Sequence, residues 1–266
     1  MNRYIRLTWL TIKYSFKSIA SYRVAFIMNA ISQIVSYMVD FGLTWIMVNA
    51  FGSMNGWSKH EVILLYAMSL ASYALAGFFF FNIRSMSRDI RSGQFDDILV
   101  KPMGVLPYLV CTRFNRGYVA HLALAIGLII FCFTSLGTVL TAAKLAFFVL
   151  SVCTGALVYG GMFLIATTPA FFVVESRALG NLIFFFRQMS YYPLSIFPHI
   201  LQIILAVIIP YGMINFFPAQ AVLGKSDFLF LGSSIQYIAP IGAVLFFVAS
   251  VLLFTFGVRH YKSTGS

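Results

Sequence analysis

The tripeptide Gly224-Lys225-Ser226 ends as a phosphate-binding loop ends, and chemistry is to be sought there first. Such a loop also needs a glycine five positions before the one preceding its lysine, in a strand-to-helix turn whose amides cradle the phosphates. Position 219 is Ala219 instead, and no buried strand precedes it. The chain is therefore expected to carry no nucleotide site, cofactor or metal of its own, so that any ATP-driven work falls to a partner. His60, His121, His199 and His260 are scattered, and none shares a helical face with a carboxylate at ligand spacing. They read as packing or interfacial histidines. Cys111, Cys132 and Cys153 each stand alone in apolar or near-apolar stretches, with neither metal spacing nor a disulfide framework. Of the seven acids, all but Asp40 fall at the borders of apolar runs or in loops. No catalytic constellation survives, and an enzyme is not expected.

Asp40 is the acid that needs an explanation. With Asn29, Gln33, Ser36 and Thr44 it forms a polar stripe at helical spacing inside an apolar run. A carboxylate facing lipid costs about 2.5–3.5 kcal/mol on insertion scales. The stripe must then face other helices, a second subunit or a wet pathway. Interhelical hydrogen bonding, at about 0.6 kcal/mol per bond, and lining of a translocation path both remain open. Farther along, Arg177, Asn181 and Gln188 lie near one face of a later segment, with Arg187 to its side. Pairing of Arg187 with Asp40 is one expectation from these positions. Asn29, Gln33, Ser36, Asp40, Asn181, Arg187 and Gln188 are the candidates for a pathway or a dimer interface.

The elements that would carry these residues follow from composition. The chain has 266 residues, 61% hydrophobic and 9% charged, against roughly 25% charged in soluble domains. It cannot cover a water-facing surface, and lipid must be its main solvent. The net charge of +11 flanks apolar runs and forms no basic face, which argues against nucleic acid. At about 20 apolar residues per crossing, residues 1–266 accommodate six spans in a single domain. These read as about 24–50, 62–82, 117–137, 145–173, 178–192 and 235–258. The first run exceeds the core of a cleavable signal and reads as a retained signal anchor.

Two regions are not simple spans. In residues 1–22, Ile5, Trp9, Ile12, Phe16 and Ile19 fall at helical spacing with Arg6, Lys13 and Lys17 on a flank, which predicts an interfacial helix; an early start to the first span is the alternative. Pro193, Pro198, Pro210 and Pro218 punctuate the stretch up to residue 223, and each removes a donor and disfavours helix before it. Residues 193–223 are expected to be a broken pair of short helices dipping back into the membrane from the outer side; one kinked helix over 188–217 is the alternative. Cations concentrate in the leader, in residues 83–116, at Arg177 and in the tail from Arg259 to Lys262, whereas Lys59, Lys144 and Lys225 occupy the intervening loops. The bias predicts a multi-pass protein of the plasma membrane with both termini cytoplasmic. Taken together, the fold class is all-α integral membrane.

The loop from Ile90 to Pro102, reading IRSGQFDDILVKP, resembles the R-x-G-x-hydrophobic-D-x-x-L-x-x-P signature of bacterial ABC-2-type exporter permeases. Tyr192-Pro193 through Phe197-Pro198, with Ile209-Pro210 and Phe217-Pro218-Ala219, resembles the proline-marked segment before the last span of that family. The resemblance implies an exporter permease that pairs with a second copy or a homologous permease. It also implies docking on separate ATPase subunits, which hold the ATP and Mg. It further implies that residues 83–116 contain a coupling helix, with Arg88, Arg91, Gly93, Phe95, Asp96, Asp97, Leu99 and Pro102 as the coupling residues. Phe95, Ile98 and Leu99 would supply an apolar anchor within a charged rim. A gradient-driven secondary transporter using Asp40, and a structural or assembly membrane protein, are the rival readings.

Overall fold

A computed structural model describes residues 6, 9–11, 13–14, 23–173, 177–227 and 230–262. Helix α1 (Arg23–Phe51) leads into a hairpin of β1 (Ser53–Met54) and β2 (Trp57–Ser58). Asn55 and Gly56 close the hairpin with φ of +47° and +80°, the paired left-handed turn that Asn-Gly adopts at low steric cost. Next comes α2 (Lys59–Phe80), which passes through a 3₁₀ turn (Phe81–Ser85) directly into α3 (Met86–Arg91). Two further short helices, α4 (Gln94–Leu99) and α5 (Val105–Thr112), complete the loop before α6 (Tyr118–Leu136). The remaining helices are α7 (Ala142–Thr167), α8 (Arg177–Met189), α9 (His199–Ile203), α10 (Phe216–Leu223) and α11 (Ile235–Arg259).

Among the described residues, five helical stretches are long and apolar enough to cross a membrane: Ile31–Phe51, Lys59–Arg91, Tyr118–Leu136, Ala142–Phe171 and Ile235–Arg259. The chain is an all-α, multi-pass integral membrane protein. Apolar on every side, α2 is the axle, as such a helix must be when buried; from Val62 to Ala74 every residue is shut in. Helices α6 and α7 pack on α2, and α11 packs on α7. Small residues permit the close approach. At Gly155 an added Cβ would stand 2.6 Å from Ser72 Oγ, and at Gly161 it would stand 2.7 Å from Ser250 Oγ.

At the end of the bundle where residues 81–117 gather, a second apolar cluster joins Ile83, Met86, Ile90, Phe95, Ile98 and Leu109 to Phe171 and Phe254. A polar clasp fastens this loop. Asp89 is buried and accepts from Arg113. Arg113 also donates to Ser85 Oγ at 2.9 Å, while Asn82 Nδ2 donates to the Arg113 carbonyl at 2.9 Å.

The crossing expected at 178–192 differs from a full span. Its helix, α8, has 13 residues, about 20 Å at 1.5 Å per residue, short of the roughly 20 residues a membrane needs. The crossing is completed without α-helix. Gly180 and Asn181 border a cavity with Arg84 and Arg88 at the loop end, while the Ser195 carbonyl accepts from Asn55 Nδ2 of the hairpin at 3.4 Å. The chain thus travels from one end of the bundle to the other by way of Tyr192-Pro193.

After that, the chain leaves the hairpin end and returns to it. Residues 199–208 and 211–223 form two helical arms bent by 68°, broken at Ile209-Pro210, where proline can neither donate nor tolerate a preceding helical turn. At the bend, Tyr211 donates to the Ile183 carbonyl at 2.7 Å, deep in the bundle. At the return, Lys225 Nζ reaches the Gly56 carbonyl at 2.8 Å. A single kinked helix over 188–217 is therefore not what forms.

The helix expected over residues 1–22 lies largely outside the described residues. Of its members, Arg6, Trp9, Leu10, Thr11, Lys13 and Tyr14 are helical, and Trp9 and Tyr14 are exposed.

Candidate translocation and coupling site

Gly93, with φ +73°, ends α3 and lets the chain reverse into α4, a turn that glycine makes without strain. The reversal divides the residues expected to form one apolar anchor. Phe95 and Ile98 point inward and are buried. Phe95 packs on Phe171 and edge-on to Tyr261, with ring centroids 5.4 and 4.8 Å apart. They hold the loop to its own bundle and present nothing to a partner, which corrects the anchor expected from sequence. Leu99 and Val100 are 42% and 78% exposed, beside exposed Arg91, Asp97, Lys101 and Pro102. Asp96 is half-buried and Arg88 is exposed. The outward surface is therefore a small apolar tip, Leu99-Val100, within a ring of both charges.

The stripe on α1 also divides. Gln33 Oε1 meets His121 Nε2 of α6 at 3.0 Å, and His121 is buried edge-on to Tyr37 at 4.3 Å, a packing histidine. Thr44 is buried and donates to the Asp40 carbonyl at 3.0 Å. Ser36 is exposed and donates to the Ser32 carbonyl. Asp40 is half-buried. Asn29 lies in α1, and its side chain is outside the described residues. On α8, Asn181 and Gln188 are exposed, while Arg187 is half-buried.

Arg187 does not pair with Asp40 as expected; among the described residues the two form no ion pair. Its guanidinium instead lies 4.4 Å from the ring centroid of Tyr73 and 5.7 Å from that of Tyr191. Aromatic faces attract a cation more strongly as water is excluded. Tyr37 brings its phenol into polar reach of the same group. Alongside, Ser69 Oγ lies 2.6 Å from the Tyr159 hydroxyl and 3.1 Å from Ser190 Oγ. Tyr37, Tyr73, Tyr159 and Tyr191 come from α1, α2, α7 and the turn just after α8, so this mid-bundle polar layer is built by four separate segments.

Asn215, fully buried, ties the returning arm into that layer. Its Nδ2 donates to the Leu65 carbonyl at 2.9 Å and to the Ser190 carbonyl at 2.6 Å. Among the expected residues of 193–223, Pro193 opens a 3₁₀ turn, Pro198 precedes α9, Pro210 marks the bend, and Pro218 sits buried in the first turns of α10. Lys225, the lysine of the apparent phosphate loop, is a fastener. It pairs with Glu61 at 3.0 Å and lies 5.0 Å from the Trp57 ring centroid. Gly224 before it is the left-handed C-cap of α10, not part of a cradle.

A family model described as "ABC-2 family transporter protein" matches residues 34–265. The chain belongs to the ABC-2 transporter family. No curated relative and no solved structure matches it. As an ABC-2 permease it is the membrane component of an ABC-type transporter, a transport subunit and not itself a catalyst. The match spans the hairpin, the loop, the mid-bundle layer and the returning arm alike.

Proposed function

We propose that this chain is the membrane-spanning permease subunit of an ATP-driven exporter, working as a dimer with separate ATPase subunits. The family match over residues 34–265 is the observation that carries the proposal. Two features support the finer reading. The loop of residues 83–116 is held rigidly to the bundle by Phe95, Ile98 and the Asp89–Arg113 pair, leaving Leu99-Val100 free to dock. Arg84, Arg88, Arg91, Lys101, Arg113, Arg116 and Arg259 gather at the loop end, against Lys59, Lys144 and Lys225 at the other, which supports a cytoplasmic loop and cytoplasmic termini. ATP and Mg would reside in the ATPase. Docking there would move α3 and α4, and through them α2, while the arm of residues 199–223 covers the exit.

Leu99→Asp with Val100→Asp tests this directly. The pair of charges should abolish co-purification with the ATPase and the substrate-stimulated part of its turnover, with thermal stability unchanged. Retained co-purification refutes the docking surface. Transport by the chain without any ATPase, driven by an ion gradient, refutes the ATP-driven reading.

A further inference from the structure

Among the described residues, Arg187 is a cation held within the bundle without a paired carboxylate. Ten residues along α8 from Arg177, or about 15 Å, it lies on rings that offset part of the cost of burying its charge. They do not neutralise it. A guanidinium carries five N–H donors; the Tyr37 phenol is in reach of it, ring faces accept none of the donors in the plane, and Nε is shut away with no hydrogen-bond partner among the described residues. Asp40 is near enough to interact electrostatically with Arg187 yet forms no ion pair with it.

A second cationic station lies on the way in. At the loop end, a cavity of about 380 Å³ opens between the 3₁₀ turn after α2, the end of α7 and the start of α8. Arg84, Arg88, Asn82 and Asn181 line it together with Phe81. The Arg84 guanidinium lies 4.1 Å from the ring centroid of Phe184. Phe184 and Arg187 are three residues apart on α8, neighbours on one helical face. The two arginines are therefore successive positions along one strip, the first near the loop end and the second at mid-depth.

We propose that this strip binds the anionic group, phosphate or carboxylate, of an amphiphilic cargo, with Arg84 and Arg88 receiving it and Arg187 holding it midway. The inference rests on the permease reading and names the cargo class of that path. An unneutralised guanidinium with spare donors matches such an anion in charge and geometry. The rings of Phe81, Phe184, Tyr73 and Tyr191 along it match an attached acyl or alkyl chain, whereas a small hydrated anion would lose part of its water at the mid-depth position.

The test uses the full chain in nanodiscs of phosphatidylcholine, with dodecyl phosphate as probe and binding followed by tyrosine and tryptophan fluorescence. Saturable binding is expected, weakened at least about tenfold in Arg187→Gln and less in Arg187→Lys. Asp40→Asn, which removes a competing negative charge, is expected to tighten it. Dodecyltrimethylammonium should not compete. Equal binding by Arg187→Gln overturns the proposal, as does displacement of dodecyl phosphate by an equal concentration of inorganic phosphate. Should Arg187→Gln fail to fold, unchanged affinity in both Asp40→Asn and Arg84→Gln overturns it instead. Co-purification with the ATPase is a separate readout, so failure here is distinguishable from failure of the permease assignment.

Discussion

Asn215→Leu is the substitution whose effect the structure defines most closely. The two side chains are similar in size and shape, so the change removes polarity with little cavity. Both hydrogens of Nδ2 are used, on the Leu65 and Ser190 carbonyls. Each lost bond is worth about 0.5–1.5 kcal/mol net. Leu65 lies within α2, so its carbonyl keeps a helical partner. Ser190 lies past the end of α8, and its buried carbonyl would be left unsatisfied at about 1–3 kcal/mol. The sum is about 2–4 kcal/mol, because the terms overlap. Local opening of the returning arm should rise by about thirtyfold to several hundredfold. Hydrogen exchange of the amides over 211–223, referenced to α7 in the same sample, reads this directly. Asn215→Ala should behave like Asn215→Leu, with a modest further loss for its cavity. Wild-type exchange in Asn215→Leu would refute the reasoning, and so would loosening by alanine alone, which would make packing the cause.

Gly155→Val should lower the melting temperature, since overpacking costs about 1–3 kcal/mol where Ser72 and Ile214 already crowd the site. Gly127→Val, with open space around its Cβ position, should leave it unchanged. Glu61→Lys and Lys225→Glu should each lower the melting temperature by the loss of about 1 kcal/mol, and the double swap should recover part of that loss. A double mutant no better than the sum of its singles would remove the fastener role from Lys225. In the loop, Phe95→Asp should destabilise the chain in a melting experiment, in contrast to the docking-defective but stable Leu99→Asp with Val100→Asp.

Five of the expected spans were legible because long apolar runs leave few alternatives, and the ends of α6 and α10 fall at Gly137 and Gly224, both left-handed. Proline marked the bend at Pro210, but hydropathy could not show that α8 stops after Met189 and completes its crossing unwound. The loop's apolar residues were legible as a group. Which of them face the bundle was not, because that depends on Phe171 and Tyr261, from segments far along the chain. Asp89 read as one loop charge among many; its burial against Arg113 is set by tertiary packing across 24 residues. The tyrosine layer left no local signal at all. Its members stand on separate segments, and no single window of sequence contains two that meet at Arg187 from different helices.

Lys59 through Arg91 is a continuous 33-residue helical column, with its tightened 3₁₀ turn but no intervening coil. One tip carries α3, braced by Ile90 and Asp89; the other carries Glu61, latched to Lys225 at the foot of the returning arm. A displacement applied at Met86–Arg91 has no slack segment in which to dissipate before it reaches that latch. The same column therefore joins the loop that carries α3 to the returning arm, and a shift of a few ångströms at one tip would either be delivered to the other or bend the column at Phe81–Ser85.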